Sequence, residues 1–247
     1  MNCVSRRESS PLRSEDAANV RGDRPGAAGV AGKPVDIVIV GAGGFGRELH
    51  TWLADCWPAA AFRVKGYLGR EKETVEHDGQ RFPILADPEA YHPTAEERLV
   101  LAIGDVASRR RVVETIAGRG GQFLTVIHPT AVVAPSAAIG VGVIVYPCAV
   151  VANAACLEDF VVLNNYASAG HDSRIGRFSV LSPYATLNGA AALEEEVFMG
   201  THSTVGPGVT IGRGSRISAN SAALKDTPAA SMVFGVPGKI VRRLDVE

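Results

Sequence analysis

From Ile127 to Ala222 the chain repeats every six residues, and the register never slips. Fourteen of the sixteen first positions, from Ile127 and Val133 to Ile211 and Ile217, are Ile, Leu or Val; Ala169 and Met199 are the others. Every fifth position, from Ala131 to Ser221, is Ala, Ser or Val. Second positions are often small, as at Gly140, Gly176, Gly200, Gly206 and Gly212. A period of six matches neither the 3.6 of an amphipathic helix nor the 2 of an alternating strand. It fits a parallel β-helix with one short strand per hexad, first positions pointing inward and fifth positions small because they lie near a corner. Three hexads then close one triangular coil, and each coil buries its inner face only by stacking on its neighbours.

Composition narrows the function classes. The 247 residues carry a net charge of −1, which gives no electrostatic case for nucleic acid or an anionic membrane. No apolar run approaches the roughly 20 residues of a membrane span, and the N-terminus lacks the apolar stretch of a secretory signal. A cytoplasmic protein is expected. The four cysteines show no C-x-x-C spacing, which favours reduced thiols.

Ahead of the repeat the chain changes character twice. Residues 1–33 are rich in Arg, Ser, Gly, Pro, Ala and Asp without periodicity, and read as a disordered tail. Val35 to Val40 is a buried-strand run, followed at once by Gly41-Ala42-Gly43-Gly44-Phe45-Gly46 and a helical stretch from Gly46 to about Cys56, with Leu49, Trp52 and Leu53 on one face. Strand, glycine turn and helix are the context in which G-x-G-x-x-G cradles a phosphate at a helix N-terminus. The competing reading is a turn that only packs helix on strand. Further strands are expected at Phe62–Leu68, Leu99–Ile103 and Gln122–Ile127, with a helix from Ser108 to Gly118. This βαβ pattern makes residues 34–122 an α/β domain with a parallel sheet, about half of a two-lobed dinucleotide fold. No acidic residue closes the second strand where a ribose contact is expected, and Gly69-Arg70-Glu71 is the nearest match, so NAD is disfavoured while a nucleotide-diphosphate ligand fits. Asp105 follows the third strand. Arg109, Arg110 and Arg111 read as a solvated helix face, with Arg109 alone a candidate ligand contact.

Residues 123–247 hold the repeat and a cap, in which Phe234-Gly235-Val236-Pro237-Gly238-Lys239 makes a closing turn before Ile240 to Leu244. Within the repeat, Gly170-His171-Asp172-Ser173 follows Ala169, the weakest inward residue of the series. His171 and Asp172 occupy third and fourth positions, which point outward. The coil period places His171 over Asn153 and under Gly189, where glycine leaves room for a ligand. A histidine beside a carboxylate suits proton transfer near neutral pH, although an exposed loop histidine would look the same. Ser173 is a fifth-position residue, near a corner, so no covalent nucleophile is expected beside His171. His128 reads as structural, and His128, His171 and His202 do not stack on one face, so no metal site is expected.

Taken together, Ile127-His128-Pro129-Thr130-Ala131, Gly170-His171-Asp172 with Ile175-Gly176, and Gly41-Ala42-Gly43-Gly44 resemble the hexapeptide-repeat acyltransferases. Within them the chain is similar to the bacterial sialic-acid O-acetyltransferases and the acetyltransferases of nucleotide-linked 4-amino sugars, over about residues 35–244. The resemblance implies a left-handed parallel β-helix behind a half-Rossmann domain, a homotrimer, and acetyl-CoA as co-substrate in the groove between two β-helices. It implies His171 as general base supported by Asp172. A nucleotide-sugar would lie at Gly41, Gly43, Gly44, Phe45, Gly46, Asp105 and Arg109. Acetyl-CoA would lie at Gly189, Thr201, Ala219, Pro237 and Lys239. Phe45 and Val180 stand where some amino-sugar members carry histidine, which leaves the sugar, and N- against O-transfer, open. The alternatives are a metal-dependent hydratase of the carbonic-anhydrase type on the same solenoid and a non-enzymatic nucleotide-binding trimeric scaffold.

Overall fold

The computed structural model describes residues 34–70 and 73–243. The expected tail and the segment after Arg243 lie outside that range, as does Glu71. The described chain forms two compact units, one ending at Val126 and the other beginning at Ile127.

The first unit is a five-stranded sheet in the order β3-β4-β2-β1-β5, where β1 is Val35–Val40, β2 Phe62–Leu68, β3 Thr74–His77, β4 Gln80–Ala86 and β5 Glu97–Leu101. β1 lies between β2 and β5 and is parallel to both. The strand order therefore reverses at β1, and in open α/β sheets the crevice beyond the carboxyl ends at such a reversal is where ligands bind. The helix α1 (Gly44–Cys56) leaves that end of β1 and buries Leu49 and Leu53. The second helix, α2 (Val106–Ala117), follows β5 in the same way.

Two elements depart from expectation. β3 and β4 form an antiparallel hairpin in which His77 pairs with Gln80 across Asp78-Gly79. Both turn residues are left-handed, with φ of 47° and 73°, as a two-residue hairpin turn of this kind requires. The strand expected at Gln122–Ile127 is instead a single bridge from Phe123 to Leu99, and Val126–Ile127 is the first strand of the repeat, β6.

The second unit is the parallel β-helix, and its hand is that expected for a hexapeptide repeat. Seventeen two-residue strands run from β6 to β22 (Ala222–Ala223) and stack in three ladders. Each strand pairs in parallel with the one a full coil away, as Val150 and Val151 pair with Ser168 and Ala169. First and fifth positions together form the core: Val145, Ala149, Leu163, Ala167, Leu181 and Ala185 are all fully buried. Fourth positions make the corners. All fourteen of them from Gly142 to Asn220 have positive φ, a conformation that costs a non-glycine residue roughly 1–2 kcal/mol. Stacking along the corner columns offsets part of this cost. Tyr166, Tyr184 and His202 stack with ring centroids 4.8 and 4.6 Å apart, and Phe160 lies 5.2 Å from Phe178.

The cap is an antiparallel hairpin of β23 (Ser231–Phe234) and β24 (Lys239–Arg243), which continues one ladder of the solenoid. Among the described cysteines Cys56 and Cys148 are free thiols.

Candidate active site

His171 and Asp172 form the corner turn between the strands Ser168–Ala169 and Arg174–Ile175. The neighbouring coils hold this turn from both sides. The N–H of Asp172 donates to the carbonyl of Asn153 at 2.9 Å, and the carbonyl of His171 accepts from the N–H of Ala190 at 2.8 Å. Gly170 is needed here, because a Cβ on it would lie 2.7 Å from the backbone of Asn188 and Gly189. On this fixed backbone the two side chains project into solvent, 71% and 65% exposed, with Nδ1 of His171 2.8 Å from Oδ2 of Asp172. A carboxylate oxygen can only accept, so Nδ1 carries the proton and Nε2 keeps its lone pair. The pair is thus oriented for proton abstraction at Nε2. Ser173, the next residue, is 1% exposed and points into the prism, where it cannot reach a substrate.

The other histidines of the repeat have different settings. His128 is buried, and its Nδ1 lies 2.8 Å from Thr130 Oγ1 and accepts from the Thr130 N–H. It serves the first coil, as expected. His202 belongs to another corner column, stacked on Tyr184. Among the described residues, no group of three or more His, Cys, Asp or Glu side chains is placed to hold a metal ion.

In the first unit the glycines of the β1–α1 turn divide into two kinds. Gly41 has φ of 128°, and a Cβ there would meet the carbonyl of Ala102 at 2.4 Å. A Cβ on Gly46 would fall 2.1 Å from the Gly41 carbonyl. At these two positions packing alone requires glycine. Gly43 and Gly44 are exposed, with nothing within 4 Å of a built Cβ. Gly43 caps α1 with no side-chain hydrogen bond, so the first-turn N–H groups and the positive end of the helix dipole face that open space. Phe45 is half-buried beside them.

Two expected ligand contacts have structural partners within the unit. The Asp105 carboxylate caps α2 by accepting from the Ser108 N–H at 2.9 Å. Arg109 is wholly buried and donates from Nη1 to the Ile103 carbonyl at 2.7 Å, so it belongs to neither a ligand surface nor a solvated face. Arg110 and Arg111 are the solvated pair, bonded to Glu114 and Glu89. Of the five expected acetyl-CoA residues, Gly189 adjoins His171. Thr201 and Ala219 are exposed on the corner column of His202, and Pro237 and Lys239 are exposed at the cap hairpin. A single chain does not bring the five together.

Residues 36–116 match the model of the PglD N-terminal domain. The chain is also similar to solved acetyltransferases. The acetyltransferase domain of PglB from Neisseria gonorrhoeae is 29% identical, with a TM-score of 0.75 over 84% of this chain and 100% of that one. A histidine-to-asparagine variant of perosamine N-acetyltransferase from Caulobacter crescentus, solved with CoA and GDP-perosamine, is 29% identical, with a TM-score of 0.75 over 85% and 97%. WeeI from Acinetobacter baumannii shares the fold at 24% identity, with a TM-score of 0.75 over 83% and 99%. Its α/β unit is thus of the PglD N-terminal type, and the chain as a whole is similar to sugar acetyltransferases that pair such a unit with a hexapeptide β-helix.

Proposed function

We propose that the protein transfers the acetyl group of acetyl-CoA to the amino group of a nucleotide-linked sugar, with His171 as general base. The observation that carries this is the His171–Asp172 pair, two exposed side chains bonded at 2.8 Å on a backbone clamped by the coils on either side. Two relatives support the substrate classes: one PglB acetyltransferase domain was solved with acetyl-CoA, and the perosamine N-acetyltransferase with CoA and GDP-perosamine.

In this reading the sugar amine attacks the thioester carbonyl while Nε2 of His171 takes its proton. The carbonyl carbon becomes tetrahedral and its oxygen negative. Third-position N–H groups lie at the outward corners, and that of Gly189, one coil above His171, has no acceptor among the described residues. It is the candidate donor to that oxygen, and such a donor is worth about 10²–10³ in rate. Collapse re-forms the carbonyl and expels CoA as the thiolate, which the proton held at Nε2 neutralises. The charge carried by the imidazolium in between is balanced by Asp172.

The nucleotide diphosphate is assigned to the open Gly43–Gly44 end of α1. Acetyl-CoA is assigned to the groove between β-helices of a homotrimer, where Gly189 from one chain and Thr201 and Ala219 from another would line one site. The acetylated amino sugar would serve glycan or surface polysaccharide synthesis in the cytoplasm. The test is release of CoA thiol from acetyl-CoA with a panel of nucleotide-linked amino and hydroxy sugars. Thiol release with an amino sugar is the expected result. Binding of nucleotide-sugar without thiol release from any member would favour a scaffold and overturn the proposal.

A further inference from the structure

Among the sixteen third positions of the repeat, only Gly189 is glycine. Its backbone does not require one. Its φ lies outside the left-handed range, unlike those of Gly142, Gly208 and Gly214 at the corners, so an L-residue could adopt it without strain. The space beside it explains the glycine. A Cβ built on Gly189 would stand 2.5 Å from Nε2 of His171, 2.6 Å from Cε1 and 3.1 Å from Cδ2. The region over Gly189, read from the sequence as room for a ligand, is filled by the imidazole itself.

We infer that Gly189 is a positioning residue for the catalytic histidine: its missing side chain is the berth against which the His171 ring lies with Nδ1 on Asp172. The inference rests on His171 being the base. A ring 71% exposed has few neighbours to hold its rotamer. The Asp172 bond fixes one edge of the ring, and the flat surface of Gly189 meets the opposite one. Any side chain at 189 would push Nε2 aside. Because the ring is the mobile end of an exposed side chain, it would swing outward rather than strain the coil, and the displacement would leave the fold intact while breaking the Asp172 bond.

The experiment is Gly189→Ala in the full chain, read three ways. Ring nitrogen spectra of histidine-labelled protein, with the His171 signals assigned by their loss in His171→Gln, report the tautomer. Wild type should hold the neutral-ring proton on Nδ1, and Gly189→Ala should lose that preference. In kinetics kcat should fall by about 10²-fold, the cost of a misplacement on the order of 1 Å, with KM for the sugar unchanged. The melting temperature should not move. An alanine variant with the wild-type tautomer and kcat overturns the inference, and so does one that loses thermal stability along with activity, because the glycine would then serve the coil. If His171→Ala itself retained activity, the base assignment would fall, while the ring spectra would still decide whether Gly189 holds the imidazole.

Discussion

Nδ1 of His171 lies 2.8 Å from Oδ2 of Asp172, its immediate neighbour in the chain, and Asp172 reaches it from a left-handed backbone with φ of 58°. Consecutive residues on a strand point to opposite faces. The corner of the coil is what turns both side chains to the same side. The two side chains of the pair therefore come from one hexad, on a backbone that the neighbouring coils hold.

His171→Ala should lower turnover by about 10²–10⁴-fold, the range for losing a general base. It should change stability by no more than about 0.5 kcal/mol, because an exposed side chain contributes little burial. Asp172→Asn should cost less. Asparagine tolerates the left-handed backbone, so only the charge and the fixed tautomer are lost. Steady-state rates and melting curves of both variants check this. A His171→Ala protein with near-full acetyl transfer would falsify the catalytic assignment.

Gly43→Val separates a ligand-binding turn from a packing turn. No protein atom lies within 4 Å of a Cβ at 43, so valine meets nothing in the fold and occupies only the space assigned to phosphate. Nucleotide-sugar affinity should drop by at least about tenfold in calorimetry, with acetyl-CoA affinity and β-helix stability unchanged. Gly46→Val, whose Cβ would collide with the Gly41 carbonyl at 2.1 Å, should instead destabilise the first unit. Unaltered sugar-nucleotide binding in Gly43→Val would reduce the whole motif to packing.

A homotrimer is expected from the ladder face that carries Val132 and Val150, 63% and 39% exposed, beside the small outward residues Ser168, Thr186, Thr204 and Ala222. A flat, uncharged face of small residues with two exposed valines gains by being covered. Light scattering should give three times the chain mass of 25.9 kDa. Val150→Asp should shift the mass towards monomer and lower the rate with it, if the acetyl-CoA groove takes residues from two chains. A wild-type protein that stays monomeric at micromolar concentration would remove the shared groove.

Much of this structure was legible in the hexads, because a solenoid repeats one local decision: aliphatic at the first position, small at the fifth, outward at the third. His171 and Asp172 follow that rule, and the structure turns both side chains outward. What escaped were choices made by packing across elements. Arg109 looked like one of three exposed arginines, yet it shares the apolar spacing of Val106, Val112, Val113 and Ile116 and is buried with them. Asp105 was read as a ligand contact although an Asp before a helix is a ready N-cap. The β3–β4 hairpin was missed even though Asp78-Gly79 is its signature. The imidazole over Gly189 had one sequence signal, a glycine at a third position, and it takes a coil stacked on the next to show what that glycine admits.

The last expectation concerns acid, and it follows from His50. This side chain on α1 packs on the sheet over β2, β3 and β4, with Nδ1 2.7 Å from the Tyr67 hydroxyl and its ring stacked on His77 at 4.0 Å. Burial first, and then the neighbouring His77, lower its pKa from 6.5 to about 4, with Asp78 opposing. The folded state thus prefers neutral His50. Between about pH 6.5 and 4 the unfolded chain binds the proton that the folded chain refuses, so stability rises with pH across that window and is lost as pH falls. At about 1.4 kcal/mol per unit the full effect would exceed 3 kcal/mol, but the ring is only half-buried, and solvent screening reduces this to about 1–2 kcal/mol. Both tryptophans, Trp52 and Trp57, belong to this unit, so their fluorescence in urea reports it without interference from the β-helix. The midpoint should drop steadily from pH 6.5 to 4.5. His50→Gln should be less stable at neutral pH, since it loses the His77 stack, yet show a flatter slope. An equal slope in wild type and His50→Gln would mean that other groups, with Glu97 and its Lys65, Tyr91 and Thr94 partners first among them, govern the acid response.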